Sequence, residues 1–138
     1  MQRTMERRVF GKYIWEHGSC QEMIADSVAD LSAARLLTLS CAAALDEVGP
    51  QKARDQIATI KVAVPTMTYR VVDRAIQVYG GAGVSDDFVL AQILAGLRTL
   101  RIADGPDAVH QRTVARIQVK KAKLAMEARK NSGTISRL

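Results

Sequence analysis

Apolar residues recur with helical spacing along most of the chain. Between Gln21 and Asp46 they follow a period of about 3.6 residues, with charged residues between them, which predicts one long amphipathic helix. The following residues, Glu-Val-Gly-Pro at 47–50, predict a stop and a restart. The helical period then resumes and predicts a second long helix that ends at Tyr79. Pro65 lies inside this second helix and lacks a backbone donor, so we expect a kink there or a break just before it.

The second half of the chain carries two further helix boundaries. Gly-Gly-Ala-Gly at 80–83 should end the second helix, because glycine adopts the left-handed conformation of a helix end without strain. Asp86 or Asp87 can cap a third helix that ends near Ile102. Asp-Gly-Pro-Asp at 104–107 predicts the start of a last helix, with the first Asp as its N-cap, running to about Arg129. These helices predict an all-α, up-and-down four-helix bundle, preceded by a short amino-terminal piece.

The composition agrees with this class and limits the possible partners. Hydrophobic residues make up 48% of the 138 residues and aromatic residues only 4%, which favours one domain of helices packed through aliphatic side chains. The net charge is +6, from 20 basic and 14 acidic residues. Because the basic residues are spread along the chain and few aromatics could stack on bases, we expect no nucleic-acid partner. A phosphate-rich small ligand fits this charge equally well.

The remaining reactive residue types indicate no other kind of site. Cys20 and Cys41 have neither metal-ligand spacing nor disulfide density, so we expect packed thiols in a reducing compartment. His17 and His110 have no partners at triad spacing and are expected to be structural, and no metal-ligand cluster is present in the sequence. The apolar runs look too short for a membrane span and the first residues are not a secretory signal, so we expect a soluble protein.

A glycine-rich turn in a helical bundle is weak evidence for phosphate binding, but three segments together are more specific. The chain contains E-R-R-V-F-G-K at 6–12, D-R-A-I-Q-V-Y-G-G-A-G at 73–83 and R-I-A-D-G-P-D-A-V-H at 101–110. In this order and spacing they resemble the carboxy-terminal domain of acyl-CoA dehydrogenases, and the last is most like the subgroup of family members ten and eleven. The resemblance implies FAD-dependent α,β-dehydrogenation of a fatty acyl-CoA to a trans-2-enoyl-CoA, in a homodimer or homotetramer.

The resemblance also assigns FAD-binding residues. It implies that Arg7 and Phe10 contact the FAD of a neighbouring subunit, and their spacing of three residues would place them on one helical face. The alternative is a solvated arginine beside a core phenylalanine. The second segment matches the family's Q-x-x-G-G-x-G element, which receives the adenosine part of FAD. The matching residues are Gln77, Gly80, Gly81 and Gly83. A plain helix C-cap remains the alternative, and one turn can do both.

The third segment implies the catalytic base. Asp104 stands where most of the family has the glutamate that removes the α-proton of the acyl thioester, and Gly105 beside it is expected to contact the substrate. The shorter side chain moves the carboxylate back by roughly an ångström, which matters for proton abstraction. Ala103 and Pro106 also depart from the tyrosine and threonine of many relatives, so the acyl-chain preference stays open. The alternative is that Asp104 only caps the last helix.

The resemblance covers only one domain of such an enzyme. It implies that residues 1–130 form the helical bundle domain with a truncated first helix, that 131–138 are a flexible tail, and that the family's amino-terminal and middle domains have no counterpart here. The domain alone is then expected to be inactive. Two alternatives are an oligomerisation module without activity and a part of a peroxisomal acyl-CoA oxidase. The terminal Ser136-Arg137-Leu138 resembles a peroxisomal import signal; the mitochondrial matrix is the alternative location.

Overall fold

The structure is a computed structural model that describes residues 1–131, and it is helical almost throughout. The elements in chain order are α1 (Gln2–Glu6), β1 (Arg8–Val9), β2 (Lys12–Tyr13), a 3₁₀ turn (Ile14–Glu16), α2 (Gly18–Lys52), α3 (Arg54–Tyr79), a second 3₁₀ turn (Gly80–Val84), α4 (Leu90–Leu100) and α5 (Asp107–Asn131). In this part of the chain the strands form a single two-residue antiparallel pair. The predicted all-α class is therefore confirmed. The proposed import signal and the tail after Asn131 lie outside the described residues.

The central element is α3, which packs against α2, α4 and α5. Two long-range contacts of basic side chains join it to the later helices. Lys61 Nζ donates to the carbonyl oxygen of Leu100 at 2.7 Å, which holds the end of α4 on α3. Lys121 Nζ lies 2.5 Å from the carboxylate of Asp55 and joins α5 to the start of α3. This lysine lowers the pKa of the Asp55 carboxyl, so the ion pair persists to acidic pH.

The α2–α3 pair is joined by an ion network around Asp30. Arg70 donates to Asp30 from Nη2 at 2.6 Å and from Nε at 3.2 Å. Arg74 donates from Nη1 at 2.7 Å. Hydrogen bonds from Arg70, and then from Arg74, hold the pKa of the Asp30 carboxyl below its usual range. Because each arginine lies 40 or more residues from Asp30 in sequence, the network fixes how α2 and α3 face each other.

Two of the three predicted helix interruptions, those at Gly49 and Gly80, are present in the structure. Gly49 leaves the helical conformation, with φ 76° and ψ 169°, so the predicted stop before Pro50 is confirmed. Gly80 ends α3 with φ 64°, as expected of the glycine-rich turn. Of the two outcomes predicted for Pro65, the break is absent, because α3 is continuous across it, and the kink stays a prediction. A proline removes one backbone hydrogen bond, and the packing of α3 against three helices outweighs that loss.

The caps predicted for the last two helices are wrong. α4 begins at Leu90 after Val89, with no side-chain cap, while Asp87 instead accepts a 3.4 Å hydrogen bond from the Ser85 hydroxyl. α5 begins at Asp107 and not at Pro106. Asp104 therefore lies too far before the helix to serve as its N-cap. For Asp87, the hydrogen bond with Ser85 inside its own loop competes with capping.

The core of the described region is thin and built mostly of small side chains. Its buried apolar residues are Ile14, Cys20, Ala34, Cys41, Ala53 and Ala58. Many large apolar residues of α2, α4 and α5 are exposed. Contrary to the expectation from sequence, α2 is long and apolar enough to cross a membrane by length and composition alone. Long core helices of globular proteins meet the same criterion, and α2 carries the Asp30 ion network to α3.

Candidate functional site

Four of the residues assigned to FAD binding lie around one open groove. The groove has a volume of about 340 Å³ and lies between the amino-terminal hairpin and the carboxyl end of α3. Arg7 and Phe10 line it from the hairpin, and Gln77 and Gly80 line it from α3. These residues are about 70 positions apart in sequence, so the fold brings them together. Gly81, Gly83, Asp104 and Gly105 do not line this groove.

The hairpin, and not a helix, positions Arg7 and Phe10. α1 ends at Glu6, and Arg7 is extended, with φ −92° and ψ 133°. Phe10 and Gly11 form the two-residue loop between β1 and β2, with φ values of 51° and 81°. Two positive φ values are the mark of a type I′ turn, whose twist matches that of the flanking strands. The expectation that Arg7 and Phe10 share a helical face is therefore wrong, because the helix is only five residues long.

Phe10 combines two unfavourable features. Its side chain is 98% exposed, and a positive φ is uncommon for a bulky residue. The aromatic contact it makes is an edge-on one with His17, at 6.5 Å between ring centroids. His17 in turn lies 3.2 Å from the carbonyl oxygen of Val9 and so ties the hairpin to the start of α2. Strained, exposed positions of this kind cluster at ligand-binding sites.

Arg7 and Gln77 have side chains available to a ligand. Both are exposed, and neither makes a side-chain hydrogen bond or ion pair within residues 1–131. A guanidinium can bind a phosphate through two parallel hydrogen bonds. Cys20 also lines the groove, and burial raises the pKa of its thiol, so it is a packed wall residue rather than a nucleophile.

The glycines of the turn differ in whether, and why, the structure requires a glycine at their position. Gly80 is required for its positive φ. Gly83 is buried, and a Cβ there would lie 2.8 Å from the carbonyl oxygen of Ile76, so close packing on α3 requires it. Gly81 is exposed, has no positive φ and would have open space around a Cβ. Of the three, Gly81 is the one that neither backbone conformation nor packing explains.

An aromatic cluster that the sequence analysis missed supports this turn. The guanidinium carbon of Arg3 lies 5.4 Å from the ring centroid of Tyr79, the last residue of α3. Tyr79 also packs edge-on against Phe88, at 4.9 Å between centroids. An aromatic residue directly before the glycine turn, in a chain with few aromatics, was the available signal. The cluster links α1 and the start of the α4 region to the glycine turn.

Asp104 lies in a left-handed turn between α4 and α5. Its φ is 55°, and that of Gly105 is 105°. The Asp104 side chain is exposed and accepts no hydrogen bond from any residue of the described range. The acid that is engaged at the start of α5 is Asp107, whose Oδ2 lies 2.7 Å from both Nε and Nη2 of Arg101. The Asp104 carboxylate is therefore free to meet a ligand.

The groove and Asp104 lie towards opposite ends of α3. The bond from Lys61 to Leu100 places the end of α4 beside the first third of α3, whereas Gly80 follows its last residue. Gly80 follows Lys61 by 19 positions, which corresponds to a helical rise of roughly 28 Å. The two sites of one chain are thus well separated. Within residues 1–131 no three His, Cys, Asp or Glu side chains group as metal ligands.

Comparison with known proteins identifies a family that matches this chain. Residues 1–119 match the family model of the acyl-CoA dehydrogenase C-terminal domain. Acyl-CoA dehydrogenase family member 11 of Gallus gallus is 50% identical over 115 residues, which are 83% of this chain and 15% of that protein. The chain thus spans about 15% of the length of such curated relatives.

Solved structures share the fold. The structure of an acyl-CoA dehydrogenase from Mycobacterium abscessus superposes with a TM-score of 0.85 at 45% identity, covering 88% of this chain and 30% of that one. The FAD complex of PigA superposes with a TM-score of 0.79 at 26% identity, covering 85% of this chain and 30% of that one.

Proposed function

Because the chain belongs to the acyl-CoA dehydrogenase family, as its C-terminal domain, we propose that it supplies part of an FAD site and the catalytic carboxylate of an enzyme that dehydrogenates fatty acyl-CoA. Enzymes of this family are FAD-dependent oxidoreductases. FAD, when bound, accepts the hydride that leaves Cβ of the acyl thioester. The present chain then contributes to binding, orientation and proton transfer.

The exposed, left-handed Phe10 at the mouth of the groove is the observation that carries the FAD assignment. These groups fit a dinucleotide: a guanidinium at Arg7 with no partner in the described part of the chain, an exposed ring at Phe10, an amide at Gln77 and a turn whose Gly81 leaves its backbone uncovered. Because the groove is open to solvent, its walls can cover only part of such a cofactor. In this proposal Gln77 and the Gly80 turn hold the adenosine part, and Gly83 supports that turn from below.

The FAD assignment is tested on the hairpin. In the full-length protein that contains this domain, Arg7→Gln should lower the FAD content after purification, because it removes the cation that faces the phosphates. Lys12→Gln is the matched control, since Lys12 is exposed, lies in the same hairpin outside the groove and has no ion pair within residues 1–131. The assay is flavin absorbance per subunit after dialysis. Equal FAD content in the two variants would refute the assignment.

Asp104 is proposed as the base that takes the α-proton. The carboxylate accepts this proton as the Cα–H bond breaks, the hydride leaves Cβ, and a trans double bond forms between the two carbons. The Asp104 side chain is exposed and has no hydrogen bond among the described residues, which supports this role, because a base engaged in capping could not turn to a substrate. Gly105, with its φ of 105°, would lie against the thioester without a side chain in the way.

Substitution of Asp104 by asparagine tests the role of the carboxylate while the backbone turn is kept. In the full-length protein, Asp104→Asn should lower turnover by about two or more orders of magnitude, because the amide cannot accept the proton. Asn tolerates the left-handed conformation, so the melting temperature should change little. Asp86→Asn serves as the control, because Asp86 is another exposed loop carboxylate with no partner in the described part of the chain. Near-normal turnover of Asp104→Asn would place the base elsewhere.

Association with a second copy is part of the proposal. The groove lies at the end of α3, whereas Asp104 follows α4, whose end is bonded to Lys61 near the start of α3, so two copies could each supply one of them to a shared cofactor. Exposed large side chains on α2 would favour association; they are Val28, Leu31, Leu36 and Leu39. Light scattering after gel filtration gives the mass. A strictly monomeric full-length protein would contradict a site shared between subunits.

Peroxisomal import through Ser136-Arg137-Leu138 is also proposed, on the resemblance of this terminus to the S-K-L signal. A fluorescent reporter carrying the last residues should accumulate in peroxisomes. A reporter that stays cytosolic or enters mitochondria would refute the assignment.

A further inference from the structure

The imidazole of His110 contacts the backbone of the turn that carries Asp104. The Nε2 atom of His110 lies 3.2 Å from the backbone carbonyl oxygen of Asp104. The imidazole also lies against Gly105, where an added Cβ would be 3.1 Å from the same Nε2 atom. One ring thus contacts both residues of the turn that have positive φ.

The base of the same turn is closed by a second interaction. The backbone N–H of Asp107 donates to the carbonyl oxygen of Arg101 at 3.3 Å, and the two side chains form the ion pair at 2.7 Å. This pair fixes where the turn begins and ends. It does not contact Asp104, so within residues 1–131 the tip of the turn is held by the contact with His110.

We infer that His110 is a positioning residue for Asp104, an inference that rests on the proposed role of Asp104 as the base. The Asp104 carboxylate has no hydrogen bond within residues 1–131, so its position follows from its backbone. A left-handed Asp is less stable than an extended one. Without the bond from the imidazole, the backbone of Asp104 would leave this conformation more often and the carboxylate would leave the α-carbon.

The bond requires one tautomer of His110. A carbonyl oxygen only accepts hydrogen bonds, so Nε2 must carry the proton. Nitrogen NMR of the imidazole in the 138-residue chain distinguishes the two neutral tautomers. We expect the Nε2–H form. A ring protonated at Nδ1 alone would overturn the inference, whatever the enzyme does.

Kinetics of the full-length protein test the role itself. We expect His110→Leu to lower kcat by about 10- to 100-fold with little change in KM, because the carboxylate is misplaced while substrate binding is kept. His110→Gln, whose side-chain amide can donate from a similar distance, should recover most of that loss. Gln111→Leu, an exposed neighbour on α5, is the control for an added leucine and should leave kcat unchanged.

The outcomes separate this inference from the proposal on which it rests. If Asp104→Asn keeps its turnover, the base assignment fails first. If Asp104→Asn is inactive but His110→Leu has the kcat of the unmodified protein, only the positioning role is refuted. A His110→Gln variant no better than His110→Leu also refutes it. Should His110→Leu fail to fold, the tautomer and the His110→Gln kinetics decide.

Discussion

Replacement of Asp30 by asparagine should weaken the contact between α2 and α3. The Asp30 side chain is 14% exposed and accepts three hydrogen bonds from Arg70 and Arg74. A hydrogen bond to a charged group contributes about 1.5–3 kcal/mol, but the Arg70 side chain is 50% exposed and its share is reduced by solvent. We therefore expect Asp30→Asn to lower the free energy of unfolding by about 1–3 kcal/mol at pH 7.

The dependence of this loss on pH identifies its cause. Since the arginines lower the pKa of folded Asp30, the charged carboxylate stabilises the fold fully above the unfolded value of about 3.9, and this contribution disappears as the pH falls through the lower folded pKa. The difference between the unmodified chain and Asp30→Asn should therefore shrink towards zero in strong acid.

Urea unfolding followed by circular dichroism, from pH 7 downwards, measures the difference. Asp26→Asn is the matched control, because Asp26 is 67% exposed and lies 3.5 Å from Arg74. We expect it to change the free energy of unfolding by less than about 0.5 kcal/mol. Equal effects of the two substitutions, or a loss for Asp30→Asn that persists unchanged in strong acid, would refute the ion-network explanation.

Three further predictions concern packing and protonation. Gly83→Ala should destabilise the chain by about 1–3 kcal/mol in urea unfolding, because its Cβ meets backbone, whereas Gly96→Ala in the open middle of α4 should stabilise it by about 0.5–1 kcal/mol. Iodoacetamide at pH 8 should label Cys20 slowly until urea unfolds the chain, because burial raises its pKa; rapid labelling of the folded chain would contradict this. Asp55→Asn should remove the pairing with Lys121 and reduce acid sensitivity in the same direction as Asp30→Asn, as acid titration of the unfolding midpoint would show.

The helices and their main interruptions could be read from sequence because both are local. A helical period indicates a helix and its apolar face without information on what packs against it, and it predicted the long helices α2 and α3. Gly49 and Gly80 interrupt the backbone because of the conformations that glycine adopts, and these need no distant partner. The resemblance of three segments added the family, which the family model confirmed.

The features that the sequence analysis missed depend on contacts between distant helices or on strand pairing in a segment that was expected to be helical. Pro65 did not break α3, because three neighbouring helices hold that helix together. The hairpin that presents Phe10 arises from strand pairing, which a helical spacing argument does not consider.

The candidate site shows the same division. Its residue types, a cation, an aromatic ring, an amide and glycines, could be named from the chain alone. Their meeting in one groove required the hairpin, the start of α2 and the end of α3 to pack together. The local sequence predicted Asp104 as a helix cap, because Asp is a preferred N-cap residue. Only the tertiary structure showed that its backbone is left-handed, that His110 contacts it and that its carboxylate has no hydrogen bond within residues 1–131, because those outcomes depend on contacts across the α4–α5 turn.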